Sequence, residues 1–233
     1  MILALQFYEG DQTKALTLAR LLADVEPAYR SDVVLGLVCQ PDTPDCEQIS
    51  DTVSYCSVKF NTIYVKSARG GKGWQDGSGE LWCGTMEHFS NNDRGSSSIF
   101  TFDGGDGVPL HKNWIDLAKS EHKKTTSQKK LVSATFSHDA VNGNMIAELD
   151  LWKLHLSTVP LKLLSKEGFC EIWESQFKNV IIPLSRLSNF VRNEWNSLNI
   201  TRQGLIDRSQ SYVWLHGYKD VDLVNKARSF LIK

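Results

Sequence analysis

An excess of charge of either sign is missing from this chain. Its 26 Lys+Arg and 27 Asp+Glu leave a formal net charge of −1. That argues against a protein coated in positive charge for polyanion binding, although a local basic patch stays open because only the distribution of charge decides it. Paired cysteines are also missing. The five present, Cys39, Cys46, Cys56, Cys83 and Cys170, are odd in number, scattered, and include no CxxC. Zinc sites and disulfide frameworks need recognisable spacing, so reduced thiols are the expectation. No stretch approaches the roughly 20 apolar residues of a membrane-spanning helix. The opening MILALQFYEGD has neither the basic start nor the apolar length of a secretory signal. Internal repeats and low-complexity linkers are absent. A cytoplasmic protein with no membrane partner, built as a single domain over residues 1–233, is expected. Its 41% hydrophobic and 23% charged residues are ordinary for a soluble globular chain, and a domain of this length buries roughly three quarters of its unfolded surface.

The apolar pattern suggests strands and helices in alternation. ILALQF at 2–7 reads as a buried strand that opens on Tyr8-Glu9-Gly10-Asp11, with Asp11 placed to cap a helix. Leu16, Leu18, Ala19, Leu21, Leu22 and Val25 then form a helical stripe ending before Pro27. VVLGLVC at 33–39 and residues 62–66 supply two more strands, with a helix over about 44–55 between them. Helices over 80–91 and 113–122 and strands at 97–102 and 131–136 follow. Beyond Asn142 the pattern is mixed, with helical segments expected near 144–156, 184–197 and 220–231. Continuous apolar strands joined by helices predict an α/β fold, a mostly parallel sheet covered on both faces. Such sheets bind ligands beyond the carboxyl ends of their strands, which directs attention to the loops after Phe7, Lys66 and Phe102.

The third of these loops is Asp103-Gly104-Gly105-Asp106. Two carboxylates flanking glycines at the end of a buried strand suit a hard divalent cation such as Mn²⁺ or Mg²⁺, which takes oxygen ligands and leaves positions for substrate phosphate. A tight acidic turn with no metal has the same composition. Late in the chain, His216-Gly217-Tyr218-Lys219 supplies an imidazole suited to Mn²⁺, a glycine permitting close approach, and an ammonium able to neutralise phosphate. A histidine packed in the core would read the same way.

The segment IFTFDGGDGVPLHKNWIDL resembles the strand–acid–helix element of nucleotide-sugar-dependent glycosyltransferases of the GT-A type, small phage- or virus-like members included. HGYK is similar to the HG-x-K element of some of those enzymes. The resemblance implies a GT-A-like (Rossmann-like) fold with a nucleotide-binding half over 1–110 and an acceptor half over 111–233. It implies a metal held by Asp106, Asp103 and His216 on the diphosphate of a nucleoside-diphosphate sugar, with Gly104, Gly105, Gly217 and Lys219 at that donor. The acids here are separated by two glycines, where the family has one residue, and Asp106 keeps the spacing to Val108-Pro109-Leu110. The glycine-dense stretch from Gly73 and Trp74 to Trp82 resembles a loop near the nucleotide. Arg69 and Lys72 are candidates there for phosphate or base, or else solvated cations. Tyr8 and Glu9 end the first strand, where this fold receives the nucleobase. Asn142 and Asn144 offer amides to sugar hydroxyls, although Asn-Gly also suits a hairpin turn. Glu174, Glu171 and Asp150, in that order, are candidates for the general base that an inverting transferase needs.

The acceptor is undetermined. Lysines 123, 124, 129 and 130 suit steering of a polyanion such as DNA, as in phage enzymes that decorate hydroxymethylated bases, or simply a solvated loop. A nucleotidyltransferase of similar fold, a non-catalytic nucleotide-sugar-binding module and a nucleic-acid-binding protein are the competing readings.

Overall fold

The structure, a computed structural model, describes residues 1–72, 74–92, 95–127, 132–137, 140–150 and 190–232. Strand β1 (Ile2–Phe7) is followed by a 3₁₀ turn (Glu9–Asp11), helix α1 (Gln12–Val25), β2 (Arg30–Cys39), α2 (Glu47–Cys56), β3 (Phe60–Lys66) and α3 (Trp74–Asn91). Then come β4 (Ser98–Asp103), β5 (Gly107–Pro109), α4 (Trp114–Ser127), β6 (Val132–Ser137) and β7 (Ala140–Glu148). The described C-terminal part holds β8 (Val191–Ser197), α5 (Arg202–Ser209), β9 (Trp214–Tyr218) and α6 (Leu223–Leu231).

Six strands form the main sheet in the order β3-β2-β1-β4-β7-β6, and β5, β9 and β8 form a second, three-stranded sheet. β1 to β4 are mutually parallel, whereas β7 runs antiparallel to β4 and β6 antiparallel to β7. The apolar runs are continuous because both faces are covered. Leu3, Leu5, Leu35, Leu37, Phe100 and Phe102 join a core with α1 residues Ala15, Leu18 and Leu22. On the other face, Gly36 lies under the Phe89 ring of α3, and the α3 residues Trp82 and Thr85 hydrogen-bond Thr101 and Gln6. The chain winds outward from β1 to β2 and β3, then returns to place β4 on the other side of β1. This reversal is the topological switch point at which open α/β sheets bind ligands. Gln6 and Asp103 are paired at its carboxyl end.

The second sheet docks on the first through aromatic side chains. Trp214 of β9 lies 4.9 Å from Phe102, 5.5 Å from Phe100 and 5.3 Å from Trp114, measured between ring centres. Such pairs each add about 0.5–1.5 kcal/mol beyond the area they bury, and all three hold β9 beneath the end of β4.

Four elements differ from the sequence pattern. α3 begins at Trp74, so Gly77 and Gly79, expected in a loop, are helical. The expected helices near 144–156 and 184–197 are in part the strands β7 and β8. Asn142-Gly143 lies inside β7 instead of at a hairpin turn, since the β6–β7 register closes at Ser137↔Ala140. The short β5 was not expected. Its formation depends on β9, more than a hundred residues away, which no local pattern reports. No helix among the described residues is long and apolar enough to cross a membrane.

Candidate active site

Asp103 is the last residue of β4, and the chain turns through Gly104 and Gly105 to Asp106 before entering β5. The turn is tied down on both sides. Gly104 N–H donates to the Gln6 carbonyl at 2.8 Å, while Gly217 and Tyr218 N–H donate to the Asp106 carbonyl at 3.0 and 3.3 Å. Gly217 makes this approach with φ +93°, a left-handed conformation that glycine adopts without strain. Both glycines of the turn are explained by contacts. A Cβ on Gly104 would lie 2.4 Å from the Ala15 Cβ, and one on Gly105 would lie 2.7 Å from the Asp11 carboxyl carbon. The double glycine therefore lets the turn run flush against the start of α1.

Pairing of Gly107 with His216 across β5 and β9 brings the imidazole to the acids. His216 Nε2 lies 3.1 Å from Asp106 Oδ1 and 3.4 Å from Asp103 Oδ2. Its Nδ1 faces Asn193 Oδ1 at 3.3 Å, from the adjacent position on β8. The amide oxygen can only accept, so Nδ1 carries the proton and Nε2 is the atom turned to the carboxylates. Lys219 Nζ donates to Asp106 Oδ2 at 2.7 Å. His216 and Asp106 are 1% and 6% exposed, and the Asp103 side chain 41%.

These distances fit a divalent cation. One ligand atom each from Asp103, Asp106 and His216 lie within 4.8 Å of one another. Neighbouring ligands about 2.1 Å from an ion of octahedral preference stand roughly 3.0 Å apart, close to the two imidazole–carboxylate separations. Two carboxylate oxygens and one imidazole nitrogen suit Mn²⁺ or Mg²⁺. Burial alone would raise the Asp106 carboxyl, but the His216 charge and hydrogen bonds from His216 and Lys219 outweigh it and hold the pKa at about 2. Burial alone would lower the His216 imidazole, but the Asp106 charge and hydrogen bonds to Asp103 and Asp106 lift it to about 9. Burial would lower Lys219 too, and its hydrogen bond to Asp106 raises it on balance. The ammonium is therefore a fixed cation at neutral pH.

A cavity of about 310 Å³ opens beside this cluster. Its lining comes from the end of β1 and the turn after it (Gln6, Phe7, Tyr8 and Asp11), from Gln40 after β2, Gly71 after β3, Ser78 and Leu81 of α3, the acidic turn and Lys219. Tyr8 is 52% exposed and borders the cavity, while Glu9 is exposed and is not in its wall. Arg69 is ion-paired with Glu87 of α3 at 2.6 Å, and Lys72 is exposed next to Gly71. Gly73 lies outside the described residues, as do the Trp74 and Asn142 side chains. Asn144 is buried on β7 one residue beyond the Thr101↔Met145 pair, near the end of β4. Glu171 and Glu174 also lie outside the described residues.

Asp150 requires a correction. β7 pairs Glu148 with Ser98, the first residue of β4, so Asp150 sits at the opposite end of that strand from Asp103. At about 3.3 Å per residue the separation along β4 is roughly 17 Å, too far to take a proton from an acceptor beside Asp103, Asp106 and His216. Three contributors escaped the sequence reading: Asp11, Gln40 and Asn193. Asp11 was read as a helix cap, yet its side chain makes no capping hydrogen bond.

Solved structures share this fold. Mouse xyloside xylosyltransferase 1 in its apo form matches over 93% of this chain and 98% of that one, with 13% identity and a TM-score of 0.55. An active-site mutant of LgtC matches over 93% of this chain and 87% of that one, with 10% identity and a TM-score of 0.52. At such identities the likeness is one of fold, and the architecture is the GT-A arrangement of a mostly parallel sheet with helices on both faces. No protein-family profile and no curated protein sequence matches the chain.

Proposed function

We propose that this chain is a glycosyltransferase that moves a sugar from a nucleoside-diphosphate sugar to an acceptor hydroxyl, using Mn²⁺ or Mg²⁺ held by Asp106, Asp103 and His216. The observation that carries the reading is the meeting of these three side chains with Lys219 beside a cavity at the switch point, on a fold shared with sugar-transferring enzymes. A bound divalent cation would offset the negative charge that develops on the departing diphosphate. Lys219 contributes a second positive charge at the same place, and Asn193 keeps the His216 ring aimed at the carboxylates. The cavity walls hold the donor so that the acceptor hydroxyl meets the anomeric carbon in a fixed orientation. Glu174 and Glu171 are the remaining candidates for deprotonating that hydroxyl.

For the acceptor, we extend the proposal to a hydroxymethylated base in DNA, a small phage-like enzyme's substrate. It rests on the lysines of 123–130, of which Lys124 is partly offset by Glu121 at 3.1 Å. Such an enzyme extrudes the base from the duplex and binds DNA with strong salt dependence.

A thermal-shift screen of uridine, guanosine, cytidine and adenosine diphosphates and their sugars, with and without Mn²⁺, tests the central reading. A metal-dependent rise in melting temperature with at least one of them is expected. No metal-dependent shift with any would overturn it.

A further inference from the structure

Glu194 is a largely buried carboxylate outside the Asp103, Asp106 and His216 cluster, its side chain 13% exposed. It follows Asn193 on β8 and accepts from four donors. Arg208 of α5 grips it in bidentate fashion, with Nε and Nη2 at 2.8 and 2.7 Å, and Arg192 Nε adds a bond at 3.0 Å. The fourth donor is the hydroxyl of Tyr218, inside the His216–Lys219 element. Burial alone would raise the Glu194 pKa, but the hydrogen bonds from Arg208, Tyr218 and Arg192 outweigh it and hold it at about 2. The carboxylate is therefore charged at neutral pH. Four bonds fill its acceptor sites, and the Arg208 fork fixes its orientation. It has no acceptor left for a ligand, and what it gives the site is the position of Tyr218.

The sheet alone does not secure that position. β8 and β9 pair at Asn193↔His216 and next at Ser197↔Tyr218, so the chain advances four residues on β8 against two on β9. Such irregularities interrupt the ladder and re-aim side chains. The interruption falls across Gly217, with its φ of +93°, and the bond from Tyr218 to Glu194 spans it. Contacts to the acidic turn run onward from Tyr218. Its N–H donates to the Asp106 carbonyl at 3.3 Å, and Lys219, the next residue, donates its N–H to the Ser197 carbonyl and its Nζ to the Asp106 carboxylate. Consecutive residues of β8 thus serve two residues of β9: Asn193 meets the His216 ring, and Glu194 meets the Tyr218 hydroxyl. We propose that Glu194 is a positioning residue for the metal site, acting through Tyr218 to hold the His216–Lys219 element against Asp106. The inference rests on the functional reading above.

The experiment measures Mn²⁺ affinity, from the signal of free Mn²⁺ in electron paramagnetic resonance, for the wild type, Glu194→Ala, Tyr218→Phe and the double variant. Ile49→Ala, a core substitution in α2, is the control for lost stability. All are measured well below their melting temperatures, where a loss of stability alone leaves the dissociation constant unchanged. Glu194→Ala is expected to weaken Mn²⁺ binding about tenfold, the lower end for residues that orient metal ligands, and Tyr218→Phe by a comparable factor. Both substitutions break one contact, so the double variant should bind Mn²⁺ no more weakly than Glu194→Ala alone. Ile49→Ala should keep the wild-type affinity. Tyr218→Phe leaves the Glu194–Arg208 pair in place and decides the matter by itself if Glu194→Ala does not fold. Wild-type affinity in either single variant, losses that multiply in the double, or an equal loss in Ile49→Ala would overturn the inference. Failure of the wild type to bind Mn²⁺ would instead overturn the functional reading.

Discussion

Raising the pH from 7 to 9 during a titration with Mg²⁺ probes the centre of the site. A proton on His216 Nε2, 3.1 Å from Asp106 and 3.4 Å from Asp103, occupies the position that a divalent cation would take, so the two compete. The His216 pKa of about 9 means that at pH 7 the metal must displace this proton. Each pH unit below the pKa corresponds to about 1.4 kcal/mol, or tenfold in affinity. The apparent dissociation constant should therefore fall about 50-fold from pH 7 to pH 9, gain at most about another twofold above that, and then flatten. Asp106, with its pKa of about 2, stays ionised throughout and adds no slope. Isothermal titration calorimetry in two buffers of different ionisation heat checks both parts: a log Kd that drops by about one per pH unit, and one proton released per ion bound. A flat profile with no buffer dependence would refute the assignment of His216 as a ligand.

Without metal the same group has the opposite effect on stability. The folded pKa lies above the ordinary 6.5, so His216 contributes stability that is fully present below pH 6.5 and lost as the pH rises through about 9. The metal-free protein should lose up to about 3 kcal/mol over that window, and saturating Mg²⁺ at pH 9 should restore it.

Asn193→Ala removes the acceptor at His216 Nδ1 and is expected to weaken Mn²⁺ binding by about 10- to 100-fold, measured by the same calorimetry. Lys219→Ala should lower kcat about 100-fold or more, the cost of losing one group that meets developing charge; steady-state turnover of the donor identified in the screen checks this. Gly104→Ala places a methyl 2.4 Å from the Ala15 Cβ and should destabilise by about 1–3 kcal/mol in urea unfolding. Asp150→Asn, far from the cluster, should leave turnover unchanged.

What could be read from the chain depended on how local each signal is. β1, β2 and β4 declare themselves because a parallel strand buried on both faces must be apolar throughout. The Asp103 and Asp106 pair is legible because both acids share one turn, and the His216–Lys219 element is equally compact. Their meeting was not a local fact. It requires β5 to pair with β9, and the only trace of that pairing in sequence is a pair of short apolar stretches, Val108-Pro109-Leu110 and Val213-Trp214-Leu215. The same holds for β7 and β8, whose polar residues gave a helical appearance because their strand partners, not their own periodicity, settle their conformation. Asn193 is hidden for this reason, since its importance follows wholly from the β8–β9 register that sets it opposite His216.

Asp11 shows a different limit. An acid just before an apolar helix reads as a cap, and its position satisfies that reading perfectly well. In the fold its carboxyl makes no capping hydrogen bond, accepts one from the Tyr8 hydroxyl and lies against the acidic turn. Gly105 has no side chain, so the Asp11 carboxyl has space against the turn backbone, and there it faces the cavity. The second glycine, which breaks the spacing of the family's acidic element, is thus the residue that makes room for a third carboxylate at the site. The departure from the pattern and the unexpected wall residue are two ends of one contact. A Gly105→Ala variant would press on both, displacing Asp11 while leaving Asp103, Asp106 and His216 in the chain. On this argument it should lower nucleotide affinity more than metal affinity. Equal losses of the two would show that the glycine serves only the shape of the metal turn.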